Sequence, residues 1–352
     1  MILTIKIETR RAETVETTET KRGLTGGTIK LIAMACMFID HFGASVYQGL
    51  MYSGKWGGWD TSFFDALTGP RIDSKVYLGY LILRCIGRIS FPIYCFFLIE
   101  GFGYTRSKWK YLLRMMIFAV VSEVPFDMAI FGSFFYYHYQ NVFFTLAIGL
   151  LMIWGIDTFK KRENGKGLTF LFCALGCITG GYGITTLVYD FVVEIAAQFF
   201  GAYSTAAFFF GTVGAFAFAL LILMIVLNEL DKSDLLKKVS VTAAFAGCAC
   251  LLAEQTPFGI TTDYGTVGIA TILIIYLLRK WRMPSICAGC GVLSIFNFME
   301  IPGFLCVPLI KAYNGERGKG NKYLFYAFYP VHLLILGLIC FVLKINPWQV
   351  LK

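Results

Sequence analysis

Charge is scarce in this chain. Lys, Arg, Asp and Glu together supply 15% of its 352 residues, against roughly 25% in ordinary soluble domains. Histidine is scarcer still, with three copies. No second C-x-x-C accompanies Cys287 and Cys290, and no His stands near enough to complete a zinc site, so no metal is expected. Residues 1–23 lack an apolar core, so they do not read as a signal peptide. Being polar and rich in Thr and Glu, they are expected to form a disordered cytoplasmic tail ahead of a membrane domain over 24–352. A basic face for nucleic acid is missing too. The net charge of +9 is scattered through short loops, around Arg106 to Arg114, Lys160 to Lys166, Arg279 to Arg282 and Lys311 to Lys322. That is the pattern of cytoplasmic loops and not of a duplex-binding surface.

Apolar residues are abundant, at 57%, with 34 Phe and 19 Tyr and a mean hydropathy of +0.67. A soluble fold of this size has no room to hide so much apolar surface. The fold class expected is all-α, a polytopic transmembrane helix bundle whose first partner is the lipid bilayer. Spans are predicted near 29–51, 77–103, 109–131, 141–159, 167–182, 203–228, 239–256, 265–279, 284–312 and 323–344, about ten in all. The stretch 284–312 is too long for one upright helix and is interrupted by Pro302 and Gly303, so two short helices are an alternative there. Residues 183–202 place Asp190 and Glu194 at helical spacing and read as an amphipathic or partial span outside the cytoplasm. The basic loops put the amino terminus in the cytoplasm, with the 52–75 loop and the aromatic turn 131–140 facing outward. The eleven cysteines, six of them deep in apolar stretches (Cys36, Cys95, Cys173, Cys177, Cys248 and Cys250), read as small packing residues.

In such a chain the informative residues are ionisable ones inside apolar spans. Each costs about 2.5–3.5 kcal/mol at a helix centre on insertion scales, so each needs a cavity or a partner. Asp40 and His41 fall near mid-bilayer in LIAMACMFIDHFGASVY. Adjacent helical residues point about 100° apart, so each meets partners on other helices. They are either a polar packing pair or a His general base with its neighbour. Arg84 and Arg88 share one helix face in ILRCIGRISFP, and Pro92 breaks the ladder one turn later. Two guanidiniums on one stripe suit a phosphate or carboxylate ligand, or else salt bridges to nearby acids. Glu100, Glu123 and Asp127 are the acids whose charge balances those arginines to within one unit. Asn141 and Thr145 open the next span beside Asp127. His332 follows Pro330 in FYAFYPVHLLIL, with Tyr326 and Tyr329 close by, as an aromatic-belt member or a second catalytic group. His138, in SFFYYHYQN, reads as an interface anchor.

Taken in order, the strings LTGGTIKLIAMACMFIDHFG, RCIGRISFPIYCFFLIEGFGYTRSKWKYLLR, FAVVSEVPFDMAIFG, HYQNVFFTLAIGLL, TDYGTVGIATILIIYLLR and YNGERGKGNKYLFYAFYPVHLLIL resemble the TraX family of bacterial membrane proteins. The resemblance covers most of the chain from Leu24 and is thinnest over 160–254. It implies an inner-membrane acyltransferase, with acetyl-CoA as donor and, in the family's founding activity, the amino terminus of conjugative pilin as acceptor. It also implies a distant likeness to multi-pass acyltransferases that acetylate surface sugars, where an intramembrane His and arginines near the donor are central. By position the family's strings carry over to Asp40 and His41, to Arg84 and Arg88, and to His332. The expected site therefore has Asp40, His41 and His332 in catalysis, with Arg84, Arg88, Glu100, Glu123, Asp127, Asn141 and Tyr329 around acyl-CoA and acceptor. The acceptor is expected to be an extracytoplasmic protein or polymer. A proton-coupled transporter or flippase is the alternative, since intramembrane acids, His and proline-broken helices serve carriers too.

Overall fold

A computed structural model describes residues 22–53, 74–163, 165–200, 205–254, 260–318 and 322–345, and the side chains of these except 74, 189–200, 205–210 and 322. Residues 1–21 of the expected tail and most of the 52–75 loop lie outside the described residues. Among them no strand forms, and the only extended pairings are isolated bridges at Leu24 to Tyr313 and Gln140 to Thr262.

The chain enters through α1 (Gly26–Phe42), capped by the Thr25 side chain on the Thr28 amide. A five-residue π-turn, Gly43–Tyr47, follows and leads into α2 (Gln48–Tyr52). Single π-turns of this kind cluster at functional sites, and this one directly follows Asp40 and His41. One broken span comes next, α3 (Ser74–Gly87) and α4 (Ser90–Tyr104). Pro92 explains the break. It has no amide to offer the Arg88 carbonyl one turn back, and its ring would clash with that oxygen in an unbroken helix.

The middle of the chain forms α5 (Lys108–Ile130), α6 (Val142–Lys161), α7 (Lys166–Phe200), α8 (Thr205–Glu229) and α9 (Ser233–Ala253). α7 corrects one expectation. Its 35 residues run unbroken through 183–200, so no separate amphipathic helix begins at Gly183. α10 (Gly265–Leu277) and α11 (Arg282–Phe296) are short, and α11 passes through a 3-10 turn, Phe298–Leu305, into α12 (Cys306–Lys311). The last helix is α13 (Lys322–Leu343).

Among the described residues, seven helices are long and apolar enough to cross a membrane, which makes the chain a multi-pass membrane protein and leaves the predicted ten unmatched. Three predicted spans drop out. α5 has 23 residues but carries Lys108, Lys110, Arg114, Glu123 and Asp127, which dilute its hydropathy. α10, in place of the predicted 265–279, has 13 residues and rises about 20 Å, too short for a full crossing. The third is the 284–312 stretch, which does not cross. Fifteen residues of α11 rise about 22 Å, short of a ~30 Å core. The chain then turns at Asn297, whose side chain caps the 3-10 segment through Met299. It returns until the Arg282 guanidinium donates to the Tyr313 carbonyl at 2.8 Å. The 282–313 segment is a re-entrant hairpin with both ends at one end of the bundle.

That end is the basic one. The Gly26 and Gly27 amides donate to the Glu316 and Arg317 carbonyls there, Tyr276 reaches Asp157, and Lys30 lies over the Phe97 and Phe325 rings. The opposite end is marked by Gln140 against Thr262 and by Gly49 against Ile345. One apolar core runs through α1, α4, α5, α6, α10, the hairpin and α13.

Candidate functional site

Counted from Gly26, His41 lies fifteen residues along α1, about 22 Å from the basic end. α13 rises past it from the same end and brings His332 alongside. His41 Nδ1 and His332 Nε2 are 2.7 Å apart, and the two rings lie edge to edge, nearly coplanar, with centroids 5.0 Å apart and a 13° tilt. Both residues are buried, at 8% and 3% exposure. Tyr329 stands edge-on to each imidazole at 5.7 Å. Phe328 stacks on His332 at 4.6 Å, and Phe38 meets its edge at 6.2 Å. Ser45, in the π-turn, donates to the His41 carbonyl.

Asp40 faces the other way, as the 100° helical step requires. Arg84 donates to its Oδ2 at 2.8 Å, and Arg88 Nη2 is 3.5 Å from its Oδ1. α1 and α3 come this close because position 87 is glycine: an added Cβ there would lie 2.1 Å from Asp40 Cβ. Arg88 also donates to Glu300 Oε1 at 2.6 Å. Glu300 sits at the turn of the re-entrant hairpin and is 3% exposed. Asp263, in the loop before α10, lies within electrostatic reach of Arg88, Asp40 and Arg84, and accepts from the Tyr139 hydroxyl at 3.2 Å. Burial pushes its carboxyl above the ordinary aspartate range, and the Arg88 guanidinium opposes that rise. Tyr264 stacks flat on Phe91 at 3.5 Å and roofs the cluster.

The acids expected to balance the arginines do not meet them. Glu100 belongs to the basic end, where Tyr313 donates to it at 3.0 Å. Glu123 accepts from the Asn141 side-chain amide, which also donates to the Ala119 carbonyl at 2.8 Å while its oxygen caps α6 through Phe143. Asp127 accepts from the Tyr136 amide at 2.7 Å and helps close the aromatic turn. The arginines pair with Asp40 and Glu300 instead, so their side chains are engaged within the protein and are not free cations. His138 stays in the aromatic turn against Tyr136 and Tyr137.

Glu300 and Asp263 were missed from the sequence. Both were visible as acids in or beside apolar runs, Glu300 two residues before Pro302 in FNFMEIPGFL and Asp263 at the mouth of TDYGTVGIATIL. Their pairing is between distant helices, and Arg88 and Glu300 are 212 residues apart. No local period reports such a contact.

The fold and this buried site define a multi-pass helical membrane protein with an intramembrane cluster of ionisable groups. A family model described as "TraX protein" matches residues 25–193 and 185–340. The chain belongs to the TraX family. It is also similar to a Dichelobacter nodosus protein described as "Probable fimbrial assembly protein FimC, serogroup H1". The two are 27% identical over 273 residues, which cover 73% of this chain and 82% of that protein. No solved structure matches the chain.

Proposed function

We propose that this protein is an inner-membrane acyltransferase that moves an acyl group, acetyl in the simplest case, from a CoA thioester to an amine or hydroxyl of an extracytoplasmic acceptor. The observation that carries the reading is the buried contact between His41 and His332 inside the family's matched region. A membrane protein seldom tolerates two imidazoles at this depth without a use for them. Transfer needs a base to take the acceptor's proton, and a neutral imidazole does that near pH 7. The similarity to a fimbrial assembly protein makes a pilin-like subunit one candidate acceptor.

The donor fits in two parts. Arg84 and Arg88 are already matched by Asp40 and Glu300, so they are poor partners for the phosphates of CoA. The cations of the basic end, among them Lys30, Arg282 and Arg317, suit those phosphates better. On this reading the basic end faces the cytoplasm, which the positive-inside rule supports. Only the thioester and its pantetheine arm then approach His41. Arg84 and Arg88 hold Asp40 and the hairpin turn in place, and so shape the wall of the site.

The test is acyl-CoA turnover by purified protein, read as free-thiol release with a panel of acceptors, for wild type and His41→Ala. Thiol release that the mutant loses while still inserting supports the reading. Equal release from both proteins sinks it, and proton-driven uptake in vesicles without any acyl-CoA binding favours the carrier instead.

A further inference from the structure

The contact between the two histidines contains more than proximity. His332 Nδ1 lies 2.7 Å from the Phe328 carbonyl oxygen, four residues back on α13. A carbonyl oxygen only accepts, so Nδ1 carries the proton. Neutral His332 then presents a bare Nε2, and that is the atom 2.7 Å from His41 Nδ1. The donor in that bond is therefore His41. With its proton on Nδ1, the lone pair of neutral His41 is left on Nε2.

We infer that His332 is a positioning residue: through the line Phe328 C=O, His332, His41, the backbone of α13 fixes His41 as the Nδ1–H tautomer and leaves Nε2 as the proton acceptor. The carboxylate that usually orients a catalytic imidazole is elsewhere. Asp40 is the nearest acid in sequence, and it is engaged by Arg84 and Arg88 on another face of α1. A neutral ring takes the orienting place. The surrounding rings hold it there, with Phe328 stacked on His332 and Tyr329 edge-on to both imidazoles. Histidine free in water prefers its proton on Nε2, so the arrangement reverses the intrinsic preference.

The tautomer stands on this geometry alone, whereas its use in turnover rests on the acyltransferase reading. In that reaction the acceptor's N–H or O–H proton passes to His41 Nε2 as the acceptor's lone pair bonds to the thioester carbon. The C–S bond then breaks, and the leaving thiolate takes the proton back from Nε2. While His41 is protonated, its Nδ1 proton can shift to His332 Nε2, which spreads one positive charge over two rings.

Three histidines make the test direct. The full-length chain in lipid nanodiscs is labelled with nitrogen-15 on His, and the ring signals are assigned with His41→Gln, His138→Gln and His332→Gln. Wild type is expected to show His41 and His332 both protonated on Nδ1 in their neutral forms. In His332→Leu, His41 is expected to return to Nε2–H. In His332→Gln the amide oxygen can still accept, so His41 stays Nδ1–H. A wild-type His41 protonated on Nε2 overturns the inference without any variant, and so does a His41 tautomer unchanged in a folded His332→Leu. Turnover is the second readout: a loss of about 10–100-fold in His332→Leu, by analogy with the partners that orient metal-ligating imidazoles, with partial rescue in His332→Gln. If the tautomer is as stated and wild type turns over no acyl-CoA, the acyltransferase reading fails and the positioning role survives.

Discussion

Two parts of this bundle solve the membrane problem in opposite ways. α1 and the α3–α4 span keep 50% and 56% of their apolar windows inside protein, and they hold Asp40, His41, Arg84 and Arg88. α8 keeps 11% inside and packs mainly on α7 and α9. Described α8 side chains such as Leu221, Ile222 and Ile225 face outward, where lipid replaces protein contacts at no cost. The first part hides ionisable groups and must be built to close tolerances. The second is a lipid-facing flank joined to the main core through α9, with its own small apolar clusters. Chemistry belongs where the bilayer has been excluded.

Substitutions sharpen that contrast, and the largest effect is expected at His41. If it is the base, His41→Ala lowers acyl-CoA turnover by about 10²–10⁴-fold, the usual share of a general base, with membrane insertion intact by fractionation. Glu300→Ala comes next. It strips Arg88 of its 2.6 Å partner in a buried place, and breaking a buried pair costs about 3–5 kcal/mol. Thermal unfolding in detergent should show the loss, and Arg88→Met with Glu300→Leu should be milder than Glu300→Ala alone. Gly87→Ala is expected to cost less, about 1–3 kcal/mol for overpacking. Its Cβ would sit 2.1 Å from Asp40 and force that side chain away from Arg84. At the bottom of the scale, Ile222→Ala and Ile225→Ala on α8 should change stability by less than about 0.5 kcal/mol, as exposed substitutions usually do. A large effect there would break the contrast and show that α8 is covered by another protein.

The sequence made some of this readable and hid the rest for a physical reason. Long apolar runs report helices, because each must bury its own backbone polar groups in lipid. The helices begin within a few residues of the predicted spans at α1, α5, α6 and α10. Asp40 and His41 stand out because an acid and an imidazole do not belong in LIAMACMFIDHFG. The 282–313 hairpin was harder, since composition counts apolar residues and does not say on which side the chain leaves. Pairing was hardest. Charge balance pointed to Glu100, Glu123 and Asp127 as counter-ions for Arg84 and Arg88, but counting charges carries no direction in space. The Arg88–Glu300 bond and the Phe328–His332–His41 line both depend on how distant helices pack.

The spacing of those pairs has a consequence for how the protein is made. Asp40 precedes Arg84 by 44 residues, while Glu300 follows Arg88 by 212. At about 5–20 residues per second of synthesis, Arg88 leaves the ribosome some 10–40 seconds before its closest counter-ion exists. During that interval Asp40 is the acid already in place for both guanidiniums. The first two spans can therefore enter the bilayer as a partly neutralised unit, and the hairpin carrying Glu300 arrives later to complete the charge.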